Sequence, residues 1–316
     1  MKTFSVVLSP RRGSTPRRIL VPVEFSETSI HALRYAVPLA RQLGGRVTLL
    51  HVLEWSVVPA TWGSVTTDEQ IIIAAAGQSL TRLARQTVPA EMLDQTMVRV
   101  GRPHQAIAET AQELKTDLIV IATHGRPILT RALLGSTAER VVRHASCMVL
   151  TVRPNTAGRP PGFRTQSLAS RINRILVPVD FSNRSRPAVK LAVRLARIMD
   201  ARIALLHVVA PLPINSAKYR PEVRQCDAEA KLQARRKLVK LAATVPKEIH
   251  TEVLLCQDIP HRGIASTARE WQCHLIVLPT RGATGASYIV LGSTAEAVVR
   301  HAPCPVLTFR QAPTRW

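Results

Sequence analysis

The chain contains one sequence pattern twice, and this repetition constrains its fold more than any other feature. The matching blocks lie 156 or 157 positions apart: Ile19–Ser26 with Ile175–Ser182, Arg46–Val52 with Arg202–Val208, and Gly135–Glu139 with Gly292–Glu296. Three blocks in the same order, with a net gain of one residue, exclude a chance match. The sequence therefore predicts two copies of a domain of about 140 residues, near the usual size for one hydrophobic core.

The repeat also defines the expected domain boundaries. A repeat this long indicates duplicated domains, because solenoid repeats span only about 20–50 residues. The segment between the copies contains Pro160-Pro161-Gly162, a composition typical of a linker. We expect an N-terminal extension (1–16), a first domain (17–153), a linker (154–171), a second domain (172–310) and a C-terminal tail (311–316).

Composition indicates a globular protein, with 46% hydrophobic and 20% charged residues. No apolar run approaches the roughly 18 residues of a membrane span, so no membrane association is expected. The apolar stretch before Pro10 is too short for a secretory signal, and we expect a cytoplasmic location. Five cysteines without a C-x-x-C pair argue against disulfides and against a metal site. Cys147 and Cys304, at equivalent positions, are expected to be buried thiols.

The formal net charge of +22 favours polyanionic partners such as nucleotides, nucleic acid or acidic proteins. The alternative is that the arginines are spread over solvated helix faces. No run of five or more Lys or Arg residues occurs, and aromatic residues make up only 4% of the chain. Platforms for base stacking are therefore scarce, and specific nucleic-acid binding is not expected.

Each copy alternates between short Val- and Ile-rich strands and helical segments. In the first copy we predict strands at 19–23, 46–52, 95–100, 117–122 and 147–152, and helices at 28–43, near 68–87, and beginning at Pro103 and Ser136. The second copy repeats this pattern, and Ser26 and Ser182 are predicted to cap the first helix of each copy. Such alternation predicts an α/β fold: two tandem Rossmann-like domains, each a five-stranded parallel sheet with helices on both faces.

In such sheets, ligands bind at the carboxyl ends of the strands, where the strand order reverses. The residues at these ends are Glu24 and Asp180 (strand one), Val52 and Val208 (strand two), and Ala122 and Pro279 (strand four). After strand four come Gly125, nine residues and Gly135-Ser136-Thr137; in the second copy, Gly282, nine residues and Gly292-Ser293-Thr294. A glycine and a hydroxyl at a helix N-terminus suit a phosphate, although the same residues also serve as a plain loop end and N-cap.

These features resemble the universal stress protein family. The resemblance rests on Val-Pro-Val-Asp-Phe-Ser, on Leu-Leu-His-Val, and on Thr-His-Gly followed nine residues later by Gly-Ser, and it covers nearly all of both halves. It implies a tandem member with an adenine nucleotide alpha hydrolase-like fold that binds ATP. By resemblance, the acidic residue and the valine hold ribose and adenine, and the glycines and hydroxyls hold the phosphates. It also implies an internal pseudo-dimer formed through the final strands.

The sequence departs from the family pattern in both copies. The family's first glycine is Ala122 in the first copy and Pro279 in the second. Alanine adds one methyl group, whereas proline fixes φ and removes an N–H donor. The first copy has Glu24 where the family usually has aspartate, and the second copy retains Asp180. The intact backbone of strand four favours the first copy as the phosphate loop.

No catalytic residues are predicted. No lysine follows a glycine-rich loop in Walker fashion, and no carboxylate pair is placed to hold Mg²⁺. His51 and His207 have apolar neighbours and are expected to be hydrogen-bonded core histidines. An enzymatic activity, if any, would be slow ATP hydrolysis.

Two hypotheses about function follow. The first is a cytoplasmic stress-response regulator in which ATP, bound in at least one copy, changes the surface shown to partners. The second is a ligand-free scaffold that pairs its own final strands and recruits an acidic protein partner through its basic surface. A homodimer of two chains is compatible with both. Weak electrostatic binding of nucleic acid is a third, lesser alternative.

Overall fold

The computed structural model describes residues 17–54, 67–123, 135–153, 172–211, 221–280 and 291–310. The first copy contains β1 (Arg18–Pro22), α1 (Glu27–Leu43), β2 (Arg46–Leu53), α2 (Thr67–Thr87), β3 (Leu93–Val100), α3 (Pro103–Glu113), β4 (Leu118–Ala122), α4 (Ser136–His144) and β5 (Met148–Val152). The second copy contains β6 (Arg174–Pro178), α5 (Ser185–Met199), β7 (Arg202–Val209), α6 (Pro221–Ala242), β8 (Thr251–Gln257), α7 (Pro260–Glu270), β9 (Leu275–Pro279), α8 (Ser293–His301) and β10 (Val306–Phe309).

The described strands form one ten-stranded sheet in the order β3-β2-β1-β4-β5-β10-β9-β6-β7-β8. Within each copy all neighbouring strands run parallel. The first strand of each copy lies between the second and fourth strands, so the chain reverses its direction of winding there. This confirms the predicted α/β class, with two doubly wound halves.

Helices cover both faces of the sheet, because alternate strand residues point to opposite sides. On β1, Ile19 and Val21 face the layer of α1, α2, α5 and α6, whereas Leu20 faces the layer of α3, α4, α7 and α8. Each layer contains buried residues from both copies, so the two hydrophobic cores continue across the boundary between them.

The two copies meet where β5 pairs antiparallel with β10. Leu150 lies opposite Leu307, its equivalent in the other copy, and both side chains are buried. Thr151 Oγ1 donates a hydrogen bond to Val306 O, and Thr308 Oγ1 donates one to Val149 O, both at 3.2 Å. This is the internal pseudo-dimer that the family resemblance implies, and a homodimer of two chains would have to use another surface.

The first helices of the two copies begin differently. Ser26 caps α1 as predicted, its side chain accepting a hydrogen bond from Ser29 N at 3.2 Å. The predicted cap at Ser182 is wrong, because α5 begins at Ser185 and its N-cap is Arg184, without a side-chain cap. The second copy has Pro187 where the first has His31. Proline lacks the N–H that an earlier helical turn would require, so the helix starts three residues after Ser182.

Candidate functional site

A cleft of about 200 Å³ lies in the second copy, beside the point where the strand order reverses between β6 and β9. Its walls include six of the residues predicted from sequence: Asp180, Val208, Pro279, Gly292, Ser293 and Thr294. The seventh, Gly282, lies outside the described residues, as does Gly125 of the first copy. The structure thus brings together residues that are more than 100 positions apart in the chain.

An acidic side chain stands at the rim of the cleft. Asp180 follows β6 and is exposed, and its Oδ1 accepts hydrogen bonds from Ser185 Oγ at 2.8 Å and from Ser182 N at 3.0 Å. The hydroxyl of Ser185 also accepts from Asp180 N at 3.2 Å. These contacts fix the orientation of the carboxylate, which suits it to accept hydrogen bonds from ligand hydroxyls.

The first turn of α8 forms the opposite wall. Gly292 is its N-cap, with φ −64° and ψ 139°, and no side chain among the described residues caps the helix. Gly292 N donates to Thr280 O at 2.8 Å, which holds the helix start against the end of β9. The first intrahelical bond begins with Glu296 N, so the N–H groups of 293–295 are left at the cleft. Such N–H groups, together with the helix dipole, attract anions.

The remaining wall is apolar and closely packed. Val208 at the end of β7 lines the cleft beside Ile264 of α7. Behind Val208 lies Gly263, at which a Cβ atom would come within 2.8 Å of both Val208 Cγ1 and Cys256 Sγ. The first copy has Ala106 at the equivalent position. Sequence reasoning missed this support for Val208, since it depends on how α7 packs against the sheet.

Pro279 ends β9 and contributes carbon atoms and a carbonyl to the cleft but no N–H. In the first copy, Ala122 occupies the equivalent strand end, next to Val152 of β5. A ligand in the second copy therefore has one fewer backbone donor at the strand end. The N–H groups at the start of α8 are the remaining backbone donors described on this side of the cleft.

The first copy has the equivalent residues, but its acidic side chain makes different contacts. Glu24 is exposed, and its Oε1 accepts from Ser26 Oγ at 2.8 Å, so its longer side chain folds back onto the cap of α1. Val52 is the second-last residue of β2, and Gly135 is the N-cap of α4, with φ −59° and ψ 133°. Gly135 N donates to Thr123 O at 2.6 Å, and the helix then begins with Ser136 and Thr137. The preference for the first copy as the phosphate loop stays a prediction.

The histidines near the ends of the second strands are half-buried, and His207 also lines the cleft. His51 Nδ1 lies 2.7 Å from Val23 O, and His207 Nδ1 lies 2.7 Å from Val179 O. A carbonyl oxygen only accepts, so Nδ1 carries the proton in both contacts. The expected hydrogen bonds are present, but both side chains are half-buried and not in the core.

A backbone feature that sequence reasoning missed accompanies these histidines. Phe25 and Phe181 have φ values of 61° and 60°, a conformation that costs about 1–2 kcal/mol for a residue with a side chain. Each ring packs on the neighbouring histidine, with centroids 4.7 and 4.5 Å apart. The reversed backbone fixes the turn that follows Glu24 and Asp180. The acid-Phe-Ser sequence, which occurs in both copies, was the sequence signal that could have indicated this turn.

The equivalent cysteines of the final strands are thiols without partners in disulfides. Cys304 is buried, whereas Cys147 is half-buried. Burial raises the pKa of Cys147 to about 12, so this thiol stays protonated at neutral pH. The role expected for Cys304, a small apolar residue in the core, is confirmed.

The fold and the cleft define a class: two tandem doubly wound α/β domains with a ligand site at the carboxyl ends of the strands. The sequence model described as "Universal stress protein family" matches residues 15–153 and 171–310. The chain therefore belongs to the universal stress protein family and carries two tandem copies of its domain. Within the described part of the chain, no helix is both long and apolar enough to cross a membrane.

Similar proteins span either one copy or both. Universal stress protein Rv2005c of Mycobacterium tuberculosis is 25% identical over 311 residues, covering 95% of this chain and all of that protein. Universal stress protein MJ0531 of Methanocaldococcus jannaschii is 33% identical over 140 residues, covering 43% of this chain and 82% of that protein. The crystal structure of a universal stress protein from Archaeoglobus fulgidus matches with a TM-score of 0.64 at 19% identity, covering 94% and 97% of the two chains. This last likeness shows the shared fold.

Proposed function

We propose that the chain is a cytoplasmic stress-response regulator and that it binds ATP in the cleft of its second copy, in place of the first copy that the sequence favoured. The observation that carries this proposal is the convergence of Asp180, Val208 and the uncapped start of α8 on one cleft. An acidic rim, an apolar wall and a helix N-terminus match the three chemical parts of a nucleotide, which are ribose, base and phosphate.

The three parts of the cleft would divide the ligand between them. Asp180 would accept hydrogen bonds from the ribose hydroxyls, because Ser182 and Ser185 already orient its carboxylate. Adenine would lie against Val208, and the phosphates would accept from the N–H groups of residues 293–295. Occupancy would restrain the start of α8, and so alter the surface presented to protein partners.

Calorimetric titration of purified protein with ATP tests the proposal. Before titration, bound nucleotide is removed by unfolding and refolding and is identified by mass spectrometry. We expect saturable binding that Asp180→Ala weakens by about tenfold, the equivalent of one lost charge-assisted hydrogen bond. Glu24→Ala, the matched change in the first copy, should leave the second-copy site intact. A flat titration of folded protein would contradict the proposal.

Gly263→Ala should weaken ATP binding without touching the ligand. The added methyl group would lie 2.8 Å from Val208 Cγ1, so Val208 must move toward the cleft. Overpacking of this kind costs about 1–3 kcal/mol, and we expect a measurable fall in both the melting temperature and ATP affinity. The reverse change in the first copy, Ala106→Gly, is the control and should leave ATP affinity of the second copy unchanged. Equal affinities for wild type and Gly263→Ala would mean that Val208 does not contact the base.

The scaffold hypothesis remains the second candidate because of Pro279. This residue removes a backbone donor from the cleft, and the net charge of +22 favours an acidic protein partner. If the chain is a scaffold, the pairing of β5 with β10 would serve only to join the basic surfaces of the two copies into one surface for the partner. The titration separates the two: a scaffold retains fold and stability but binds no adenine nucleotide.

A further inference from the structure

Arg153, at the boundary between the two copies, has two guanidinium nitrogens without an acceptor among the described residues. It follows the last residue of β5 and is half-buried. Its Nε and Nη2 atoms are buried, and no hydrogen-bond acceptor contacts either of them in the structure as described. Burial lowers the pKa of this guanidinium, which reflects the cost of holding a charge away from water. Buried donors of this kind normally have partners.

The antiparallel register places Arg153 against the end of α8. Thr151 pairs with Val306, so Arg153, two residues further on, faces the segment that joins α8 to β10. That segment follows His301, the last residue of α8, whose pKa is lowered by burial and then by Arg153, Arg300 and His261. The four residues Arg153, His261, Arg300 and His301 are called the boundary cluster below.

The boundary cluster offers hydrogen-bond donors and positive charge. The rings of His261 and His301 lie with centroids 6.3 Å apart. Arg300 Nη2 donates to Glu296 Oε1 at 2.8 Å, but its Nε is a second buried donor without an acceptor among the described residues. The guanidiniums of Arg153 and Arg300 both lie close enough to His301 to lower its pKa, and their positive charge would repel a metal cation and attract an oxyanion.

We propose that the boundary cluster binds a free phosphate-like oxyanion, which bridges the two copies. Arg153 belongs to the first copy and the other three residues to the second, so the site exists only while β5 and β10 are paired. Guanidinium groups bind phosphate oxygens through paired N–H donors. The bound anion would supply the acceptors that the Nε atoms of both arginines lack.

The equivalent position in the other half differs. Arg310 occupies the place of Arg153 but is exposed. The His104 and His144 pair of the first copy, equivalent to His261 and His301, has ring centroids 6.5 Å apart, and Glu54 adds a negative charge beside His104. The carboxylate disfavours an anion there. Arg310 is therefore the matched control for Arg153.

The test uses the full chain and inorganic phosphate, with chloride at equal ionic strength as the reference. We expect phosphate to raise the melting temperature of wild type and of Arg310→Gln, and Arg153→Gln to lose this rise. In calorimetry, we expect Arg153→Gln to lower phosphate affinity about tenfold. His301→Gln serves as a second variant, should Arg153→Gln fail to fold, and it should also weaken the effect.

The same experiment distinguishes the boundary cluster from the nucleotide cleft. Gly292→Val should retain the phosphate effect, and Arg153→Gln should retain ATP binding. A phosphate effect that persists in Arg153→Gln, or that disappears in Gly292→Val, overturns the proposal. A phosphate effect on the melting temperature no larger than that of chloride also overturns the proposal. Arg153 would then only complement the dipole of α8.

Discussion

Gly292→Val should weaken ATP binding by about 10- to 100-fold while leaving the fold intact, the loss expected from one or two charge-assisted hydrogen bonds. A branched side chain at the N-cap of α8 would block the approach of phosphates to the N–H groups of residues 293–295. The backbone tolerates the change because Gly292 has φ −64° and ψ 139°, which is extended geometry open to any residue. Its N–H bond to Thr280 O is also retained.

Gly135→Val supplies the matched control, since Gly135 caps α4 with nearly the same backbone angles. Calorimetry on both variants assigns the functional copy. If Gly135→Val alone abolishes ATP binding, the first copy holds the nucleotide and the assignment to the second copy is wrong. Melting temperatures of the free variants close to that of wild type would show that neither effect arises from unfolding.

Leu150→Asp should destabilise the protein by about 3–5 kcal/mol, a large part of the stability of a typical domain. Leu150 is buried opposite Leu307 in the middle of the β5–β10 ladder. The substitution removes core packing and buries a carboxylate without a partner. Because both cores continue across this ladder, we expect a lower urea midpoint and loss of coincidence between unfolding transitions.

The control for this effect is Val100→Asp at the end of the edge strand β3. Val100 is 49% exposed, so the same carboxylate remains hydrated there. We expect a change within about 0.5 kcal/mol, as for most surface substitutions. Equal destabilisation by the two variants would show that the contact between the copies contributes no special stability.

The sequence alone predicted the order of strands and helices because each element is short, periodic and present twice. Strand ends and helix starts fell within a few residues of their places, as at Pro103, Ser136 and Ser293. Ser182 failed as a cap because Pro187, five residues later, lacks the N–H that a helix starting directly after Ser182 would bond to the carbonyl of residue 183. Local patterns therefore predicted the starts and ends of helices and strands wherever no nearby residue favoured a different position.

The sequence was enough to propose which residues line the candidate site, but not which residues pack behind them and support them. Strand ends selected Asp180 and Val208, because in a doubly wound sheet those ends meet at one edge, and the glycine spacing after strand four selected Gly292. The packing of Gly263 behind Val208 depends on the angle between α7 and the sheet. The environment of Arg153 depends on the register of β5 against β10, and neither relation is encoded in a local pattern.

Hydrogen–deuterium exchange with and without saturating ATP tests the central claim most directly, because it reports protection residue by residue. We expect ATP to protect the amides of Ser293, Thr294 and Ala295 in wild type, and this protection to be lost in Gly292→Val. Peptides covering the equivalent start of α4 report on the first copy in the same experiment. Unchanged exchange at the start of α8 in folded, ATP-saturated protein would contradict the assignment of the cleft as a nucleotide site.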